Sequence, residues 1–312
     1  MDTLAWLLES EPAIRWQALR DLTDASPSQI AAERERVTRE GLVATILQRQ
    51  QADGSWRVDG EPLWLPTLFT LLFLRATGAD RRQPAVESAL SRLERGLAFS
   101  DKDGCWELRP AEPGRTFFDG EVEPCINGGV LGIGAYFGRP TEGLARRLVG
   151  EQLEDGGWNC DAPKSVRSSF HTTICVLEGL LEYERATGSA LWVAVARERG
   201  EEYLLQRGLF RRRSTGEVAN PEFLELAFPP RYRYDVLRGL DYFRAAGGAP
   251  DPRMKDAVAF IQSKRQSDGR WPLDRAYDQS LGFTTGEKIG EPSRWNTLRA
   301  LRVLRCYGSA SS

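Results

Sequence analysis

Hydrophobic side chains recur at helical spacing along most of the chain, three and four residues apart. This spacing predicts helices over 4–9, 12–22, 29–50, 63–76, 85–98, 125–137 and 292–306. Turns that contain glycine, proline or aspartate separate most of these segments. Adding the helices expected between them, we predict an all-α chain of eleven or twelve helices.

The tetrapeptide Asp-Gly-x-Trp recurs at 53–56, 103–106, 155–158 and 268–271. The first three tryptophans are 50 and 52 residues apart, and the last interval of 113 residues fits two periods with a degenerate copy near 206–213. Each period contains two helical patterns, so the unit is a helical hairpin, with repeats ending near 56, 106, 158, about 212 and 271. Glycine permits a left-handed turn, and tryptophan supplies an apolar face and an indole N–H that needs an acceptor.

Hairpins of this kind predict a closed ring. An open stack leaves its terminal units exposed, whereas a ring of about six pairs closes on itself. The predicted fold is therefore an (α/α)6 toroid, with residues 1–312 as a single domain. Inner helices in such a ring surround a central cavity, so residues that are distant in sequence face one another.

Charge and hydropathy limit the partners of the chain. The 42 basic and 44 acidic residues give a formal net charge of -2 and are spread along the sequence, which argues against nucleic acid or an anionic membrane as a partner. The densest basic run, 211–213, is interpreted as a solvated loop rather than an anion site. The longest apolar run, 68–74, is far shorter than the about 20 residues of a membrane span.

We also expect a cytoplasmic, soluble protein that begins without a cleaved leader, because no basic and apolar signal pattern opens the sequence. Five cysteines form an odd, widely spaced set, unlike a secreted disulfide framework, so reduced thiols are expected. Three of them, Cys105, Cys175 and Cys306, are interpreted as packing residues.

The other two cysteines are candidate metal ligands. Cys125 and Cys160 occur at successive stages of the repeat, and His171, the only histidine, follows. Thiolate and imidazole are preferred zinc donors, and Glu123 or Asp161 would complete a set. The alternative is that buried cysteines act as small hydrophobic residues and that the histidine satisfies a buried hydrogen bond.

Several segments of the sequence resemble motifs of known families. The Gln-x5-Trp segments 50–56 and 152–158 resemble the repeat of triterpene and other class II terpene cyclases, and this resemblance covers nearly the whole chain. Segment 156–164 with Phe170-His171-Thr172 resembles the stretch that bears the zinc-ligand histidine in protein prenyltransferase β subunits. Glu123-Pro124-Cys125 resembles the Asp-x-Cys pair there, with Glu in place of Asp.

The resemblance implies a toroid with zinc at Glu123, Cys125 and His171, and chemistry on an isoprenoid diphosphate. It also implies a separate partner subunit, which this chain does not encode. The sequence contains no Asp-Asp pair, so it lacks both the Asp-x-Asp-Asp acid motif of class II cyclases and the Asp-Asp-x-x-Asp motif that holds magnesium and diphosphate. Gly128-Gly129 is interpreted as a site of close helix packing.

A long loop is predicted over 210–234, because its three prolines prevent regular helix. Such a loop can cover the mouth of the cavity, with its aromatic side chains either lining an apolar pocket or packing the loop itself. A similar loop is predicted over 273–291. The candidate ligand-binding residues are Asp161, Lys164, Phe170, Tyr232 and Tyr234.

Two hypotheses for function remain open. In the first, the protein is a zinc-dependent enzyme that acts on an isoprenoid-like or other apolar small molecule in the central cavity. In the second, the toroid is not catalytic and binds a lipid or a peptide. A third alternative, a carbohydrate-active α/α barrel, would use Glu123 and Asp161 as its two carboxylates.

Overall fold

The computed structural model describes residues 2–62, 64–100, 105–107, 115–188, 190–277 and 280–308. Within these ranges it has thirteen α-helices: α1 (Thr3–Leu8), α2 (Pro12–Leu22), α3 (Pro27–Arg36), α4 (Gly41–Gln48), α5 (Trp64–Thr77), α6 (Pro84–Gly96), α7 (Pro124–Tyr136), α8 (Glu142–Gly150), α9 (Phe170–Thr187), α10 (Leu191–Leu205), α11 (Val236–Ala246), α12 (Lys255–Ser263) and α13 (Arg294–Tyr307). Three short strands lie between α6 and α7: β1 (Ala98–Ser100), β2 (Cys105–Glu107) and β3 (Arg115–Thr116).

Six helices form an inner ring in the order α2, α5, α7, α9, α11 and α13, and each neighbours the next. The ring closes between the two ends of the chain, where Arg302 of α13 donates to Gln17 Oε1 of α2 at 3.0 Å. Helices α1, α3 with α4, α6, α8, α10 and α12 pack outside it. The predicted all-α (α/α)6 toroid is confirmed.

The three fully described tetrapeptide turns make the same contacts. The indole N–H groups donate to backbone carbonyls of the preceding outer helix, in the pairs Trp56–Ile46 (2.8 Å), Trp158–Leu148 (2.6 Å) and Trp271–Ile261 (2.7 Å). The tryptophan backbone N–H groups donate to threonine hydroxyls of the following inner helix, which are those of Thr67, Thr173 and Thr297. Each turn therefore connects an outer helix to the next inner one.

The small sheet was not predicted. Its order is β2-β1-β3, and both pairings are antiparallel. The tetrapeptide copy at 103–106 contributes to β2, but Asp103 and Gly104 of this copy lie outside the described residues, as do the side chains of Cys105 and Trp106. The packing interpretation of Cys105 therefore stays a prediction.

The helical pattern over 29–50 forms two helices rather than one. Helix α3 ends at Arg36, and α4 begins at Gly41, whose φ of 73° is left-handed. The backbone N–H of Leu42 donates to Glu11 Oε2 at 2.8 Å, which fixes the break against the start of α2. The other predicted helices agree with the structure to within two residues at each end.

The predicted loop over 210–234 is irregular, apart from a short 3-10 helix at Pro221–Leu224. Its segment 228–231 lines the central cavity. Cys175 is buried, as predicted, but Cys306 is exposed near the end of α13, so its interpretation as a packing residue is wrong. None of the helices in the described part of the chain is long and apolar enough to span a membrane.

Candidate functional site

The central cavity has a volume of about 440 Å³ and is lined by residues from all six inner helices. Its wall carries three carboxylates, those of Glu178, Glu182 and Asp241, against ten arginines. The arginines are Arg20, Arg34, Arg75, Arg81, Arg185, Arg231, Arg238, Arg244, Arg299 and Arg302. Two carboxylates outside this lining also pair with it, Asp21 with Arg20 at 2.6 Å and Asp235 with Arg299 at 3.9 Å, and the arginines around the cavity still outnumber the carboxylates.

Glu178 holds two of these arginines. Arg238 donates to both oxygens of Glu178 at 2.8 Å, and an Arg75 nitrogen lies 3.6 Å from Oε2. Burial opposes ionisation of Glu178, but the charge and hydrogen bonds of Arg238, with the charge of Arg75, outweigh it and lower its pKa. The carboxylate therefore stays ionised and fixes the position of both guanidinium groups.

Asp241, on the neighbouring inner helix α11, also holds arginines. It accepts hydrogen bonds from Arg244 at 2.9 Å and from Arg302, and Arg299 lies 3.8 Å away. Burial alone would raise the pKa of Asp241, but the charges of Arg302 and Arg244 lower it well below its usual range. Two more carboxylates share these arginines, because Asp21 lies 3.6 Å from an Arg302 nitrogen and Asp235 lies 3.9 Å from an Arg299 nitrogen.

A second, apolar pocket of about 240 Å³ lies toward the N-terminal ends of α5 and α7. Leu65, Leu68, Leu72 and Ile126 supply most of its apolar wall, and Tyr232 contributes from the long loop. Six residues line both this pocket and the central cavity, namely Phe69, Leu72, Arg75, Glu178, Arg231 and Arg238. The apolar and the positive spaces therefore adjoin.

Glu123, Cys125 and Cys160 meet at the edge of the apolar pocket. Their ligand atoms all lie within 4.8 Å of one another, and they are the only such group of three or more potential metal ligands in the part of the chain that the structure describes. The Cys125 sulfur is 3.6 Å from Glu123 Oε2. The hydrogen bond between the two thiols raises the pKa of Cys125 and lowers the pKa of Cys160 to about 7.

Local sequence explains this convergence. Pro124 occupies the first turn of α7, so Glu123 precedes the helix in an extended conformation, while Cys125 lies in its first turn. Cys160 lies in the turn that follows Trp158, and its sulfur is 3.4 Å from the hydroxyl of Thr172 in the first turn of α9. The start of α7 and the turn that leads into α9 therefore bring the three side chains to one place.

The structure does not place His171 with this cluster. Its Nδ1 accepts the backbone N–H of Tyr234 at 2.8 Å, so the proton of the neutral ring lies on Nε2. Burial, with the charges of Arg233 and Arg238, lowers the pKa of His171 to about 4. A neutral ring with this tautomer offers no free lone pair to a metal, and His171 instead orients the long loop.

The candidate binding residues occupy three different environments. Asp161 and Lys164 are exposed on the turn after Cys160. Phe170 and Tyr234 are buried and pack on each other, with ring centroids 5.1 Å apart, so neither lines a cavity. Of the five, Tyr232 alone lines the apolar pocket, and it is 42% exposed.

Glu121 is a candidate that the sequence analysis missed. Its side chain is only 4% exposed, and its Oε1 has no hydrogen-bond partner. Burial and the nearby charge of Glu123 raise the pKa of Glu121 to about 7. The alternation Glu121, Glu123, Cys125 at the start of a helix is the signal that would have identified it.

Comparisons with known proteins yield matches to solved structures alone. No protein-family model and no curated protein matches the sequence. Among solved structures, a protein from Actinoplanes is 16% identical over 96% of this chain and 89% of that one, with a TM-score of 0.48. The type II terpene cyclase MstE from Scytonema is 15% identical over 97% of this chain and 86% of that one, with a TM-score of 0.46. Neither likeness carries a residue, a substrate or an activity over to this chain.

Proposed function

We propose that the chain is a terpene cyclase- or prenyltransferase-like protein that takes an isoprenoid-like or other apolar small molecule into its cavity and uses a zinc ion there. The observation that supports this most directly is that an apolar pocket adjoins a cluster of potential metal ligands. A pocket walled by leucines ends at Glu123 and Cys125, which are potential metal ligands. An apolar ligand in this pocket would therefore meet the one cluster of thiols and carboxylate described in the molecule.

The three side chains fit zinc by their chemistry. Zinc binds thiolate sulfur at about 2.3 Å and carboxylate oxygen at about 2.0–2.2 Å, so ligand atoms already within 4.8 Å of one another need little movement to share an ion. Three protein ligands leave a fourth position, and the unpartnered oxygen of Glu121 lies two residues before Glu123. When bound, zinc would supply Lewis acidity and stabilise thiolates.

The protein's own residues have defined roles in this proposal. The Thr172 hydroxyl, 3.4 Å from the Cys160 sulfur, and the interaction with the Cys125 thiol both favour the thiolate form of Cys160. The leucine wall excludes water from the adjoining space. His171 is left out of the ligand set, because its Nδ1 lone pair already accepts the Tyr234 N–H.

Elemental analysis of the purified protein tests the zinc site. We expect about one zinc ion per chain in the wild type, held by the three protein ligands. Cys160→Ala should lose most of it, whereas His171→Ala and Cys306→Ala, which change a loop contact and an exposed thiol, should keep it. Circular dichroism of each variant checks that the helices remain.

Two results would contradict the proposed site. Zinc that is lost in His171→Ala but kept in Cys160→Ala would point to a different ligand set. A folded wild-type chain that binds no added zinc would leave the second hypothesis, a toroid that binds its ligand without catalysis.

A further inference from the structure

We infer that Cys125 and Cys160 are a modification site, at which a peroxide converts the two thiols into a reversible disulfide. This inference goes beyond the proposed function, because the pairing depends on the two thiols alone and not on a metal ion. One consequence rests on the proposed function: a disulfide removes both thiolate ligands, so oxidation and zinc binding exclude each other.

The two sulfur atoms are already close together. With the Glu123 carboxylate, they form the group whose ligand atoms all lie within 4.8 Å of one another. A disulfide holds its sulfurs about 2.05 Å apart, so the two atoms need to approach by less than about 3 Å. Cys160 lies in the segment 159–169, which contains neither helix nor strand, so the backbone on its side can adjust without disrupting a helix.

An oxidant dissolved in water can reach this pair. Cys125 and Cys160 are both half-buried rather than enclosed. Residues 161–164, which follow Cys160, are exposed, and so is Glu123 beside Cys125. Partial exposure of this kind is typical of cysteines that react, whereas fully buried cysteines are inert.

The other described cysteines lack these features. Cys175 is buried, and its sulfur lies 3.6 Å from Arg238 Nη2 and 3.6 Å from the Tyr232 carbonyl oxygen. Cys306 is exposed near the end of α13 and does not belong to the cluster. Of the four cysteines whose side chains the structure describes, only Cys125 and Cys160 combine a neighbouring thiol with access from solvent.

The contacts of the two sulfurs assign their roles. The Cys125 thiol donates its hydrogen to Glu123 Oε2 at 3.6 Å, so this hydrogen is already engaged. The Cys160 sulfur lies 3.4 Å from the Thr172 hydroxyl, a neutral group that can donate to it. Cys160 is therefore the thiol that attacks the oxidant, and Cys125 is the thiol that resolves the product.

The reaction consumes one hydrogen peroxide for each disulfide. The Cys160 sulfur attacks a peroxide oxygen, so an S–O bond forms, the O–O bond breaks, and the thiol proton leaves with the other oxygen as water. The Cys125 sulfur then attacks the Cys160 sulfur, so an S–S bond forms, the S–O bond breaks, and the hydroxyl leaves with the Cys125 proton as a second water. The thiols lose two electrons, and these reduce the peroxide.

Peptide mapping of the full chain tests the pairing. The five cysteines fall in five different tryptic peptides, because a cleavable lysine or arginine separates each neighbouring pair. After a chelator has removed any metal, hydrogen peroxide should remove two of the five thiols and join the Cys125 peptide to the Cys160 peptide. Dithiothreitol should restore both thiols.

Two serine variants distinguish the pair from general oxidation. In Cys125→Ser the Cys160 sulfenic acid has no resolving thiol, so it should proceed to the sulfinic acid, which dithiothreitol does not reverse. Cys306→Ser removes an exposed thiol outside the cluster and should form the disulfide as the wild type does. Circular dichroism checks that both variants keep their helices.

Three results would overturn the inference. The first is a wild type that keeps all its thiols in peroxide. The second is a main cross-link that contains Cys175 or Cys306. The third is a wild type in which Cys160 proceeds to the sulfinic acid as readily as it does in Cys125→Ser.

Zinc added before the peroxide separates this inference from the proposed function. Bound zinc should slow the loss of both thiols severalfold, because the ion holds each sulfur, and the oxidised chain should bind no zinc. A disulfide that forms equally fast with and without zinc would support the thiol pair and contradict the zinc site. A chain that binds zinc but forms no disulfide when metal-free would keep the zinc site and overturn the pairing.

Discussion

Replacing Trp158 by alanine should lower the free energy of unfolding by about 3–5 kcal/mol, the range found for large aromatic side chains in cores. The side chain is 0% exposed, and its indole N–H donates to the Leu148 carbonyl at 2.6 Å. A Cβ atom on Gly200 of α10 would lie 2.7 Å from the Trp158 ring, so the ring fits closely against the next outer helix. Alanine would leave a cavity between α8 and α10 and an unpaired carbonyl. Urea denaturation followed by circular dichroism measures the loss.

Two further variants separate the contributions. Trp158→Phe keeps most of the apolar volume but removes the indole N–H, and should cost about 1–3 kcal/mol for the buried carbonyl left unpaired. Trp192, which is partly exposed and stacks on Arg146 at 4.6 Å, provides the matched control. Trp192→Ala should cost about 1 kcal/mol or less, the usual range away from the core. If Trp158→Ala costs no more than this, the tetrapeptide turn does not connect the hairpins.

The fold could be predicted from the sequence because its determinants are local and repeated. The same glycine turn precedes Trp56, Trp158 and Trp271, and all three indoles find their acceptor ten residues upstream. Ring closure then follows from the number of hairpins. The sequence did not reveal the break between α3 and α4, because it depends on a contact between Leu42 and Glu11, which directly precedes α2.

The convergence of the candidate ligands was predicted in part. Packing of α7 against α9 brings Glu123 and Cys125, at the start of α7, close to Cys160 in the turn before α9. His171 differs because successive residues on a helix point about 100° apart. Thr172 therefore faces Cys160, and His171 faces the long loop. One position along α9 therefore decides whether a side chain reaches Cys160. The spacing of hydrophobic residues in the sequence does not fix the orientation of α9 closely enough to predict which side chain does so.

The positive cavity could not be predicted from overall charge. The arginines are spread through the sequence among nearly equal numbers of acidic residues, and they converge only when the ring closes. The sequences of individual helices indicate the charged cavity only weakly. Arg75 is the only charged residue of α5, an otherwise apolar or uncharged helix, and a charge at such a position indicates a polar interior rather than a solvated face.

Replacing Gly128 by alanine should lower the free energy of unfolding by about 2 kcal/mol or more, the range for forcing an extra methyl group into a packed core. A Cβ atom at Gly128 would lie 2.3 Å from the Cys175 carbonyl oxygen, and one at Gly179 would lie 2.3 Å from the Gly128 oxygen. Helices α7 and α9 therefore touch through their backbones, and the methyl group must separate them. The gain in helix propensity, at most about 1 kcal/mol, does not compensate.

The neighbouring glycine provides a control of opposite sign in the same helix. A Cβ atom at Gly129 would meet only Leu72 side-chain carbons at 3.6 Å, an ordinary contact, so Gly129→Ala should leave stability unchanged or raise it by up to about 1 kcal/mol. Urea denaturation of both variants makes the comparison.

Because Cys125 precedes Gly128 by one helical turn, separation of α7 from α9 should also move Cys125 from Cys160 and reduce zinc retention in Gly128→Ala alone. Equal losses of stability in the two variants would mean that the helices do not cross at this backbone contact, and the convergence of the two thiols would then lack its geometric basis.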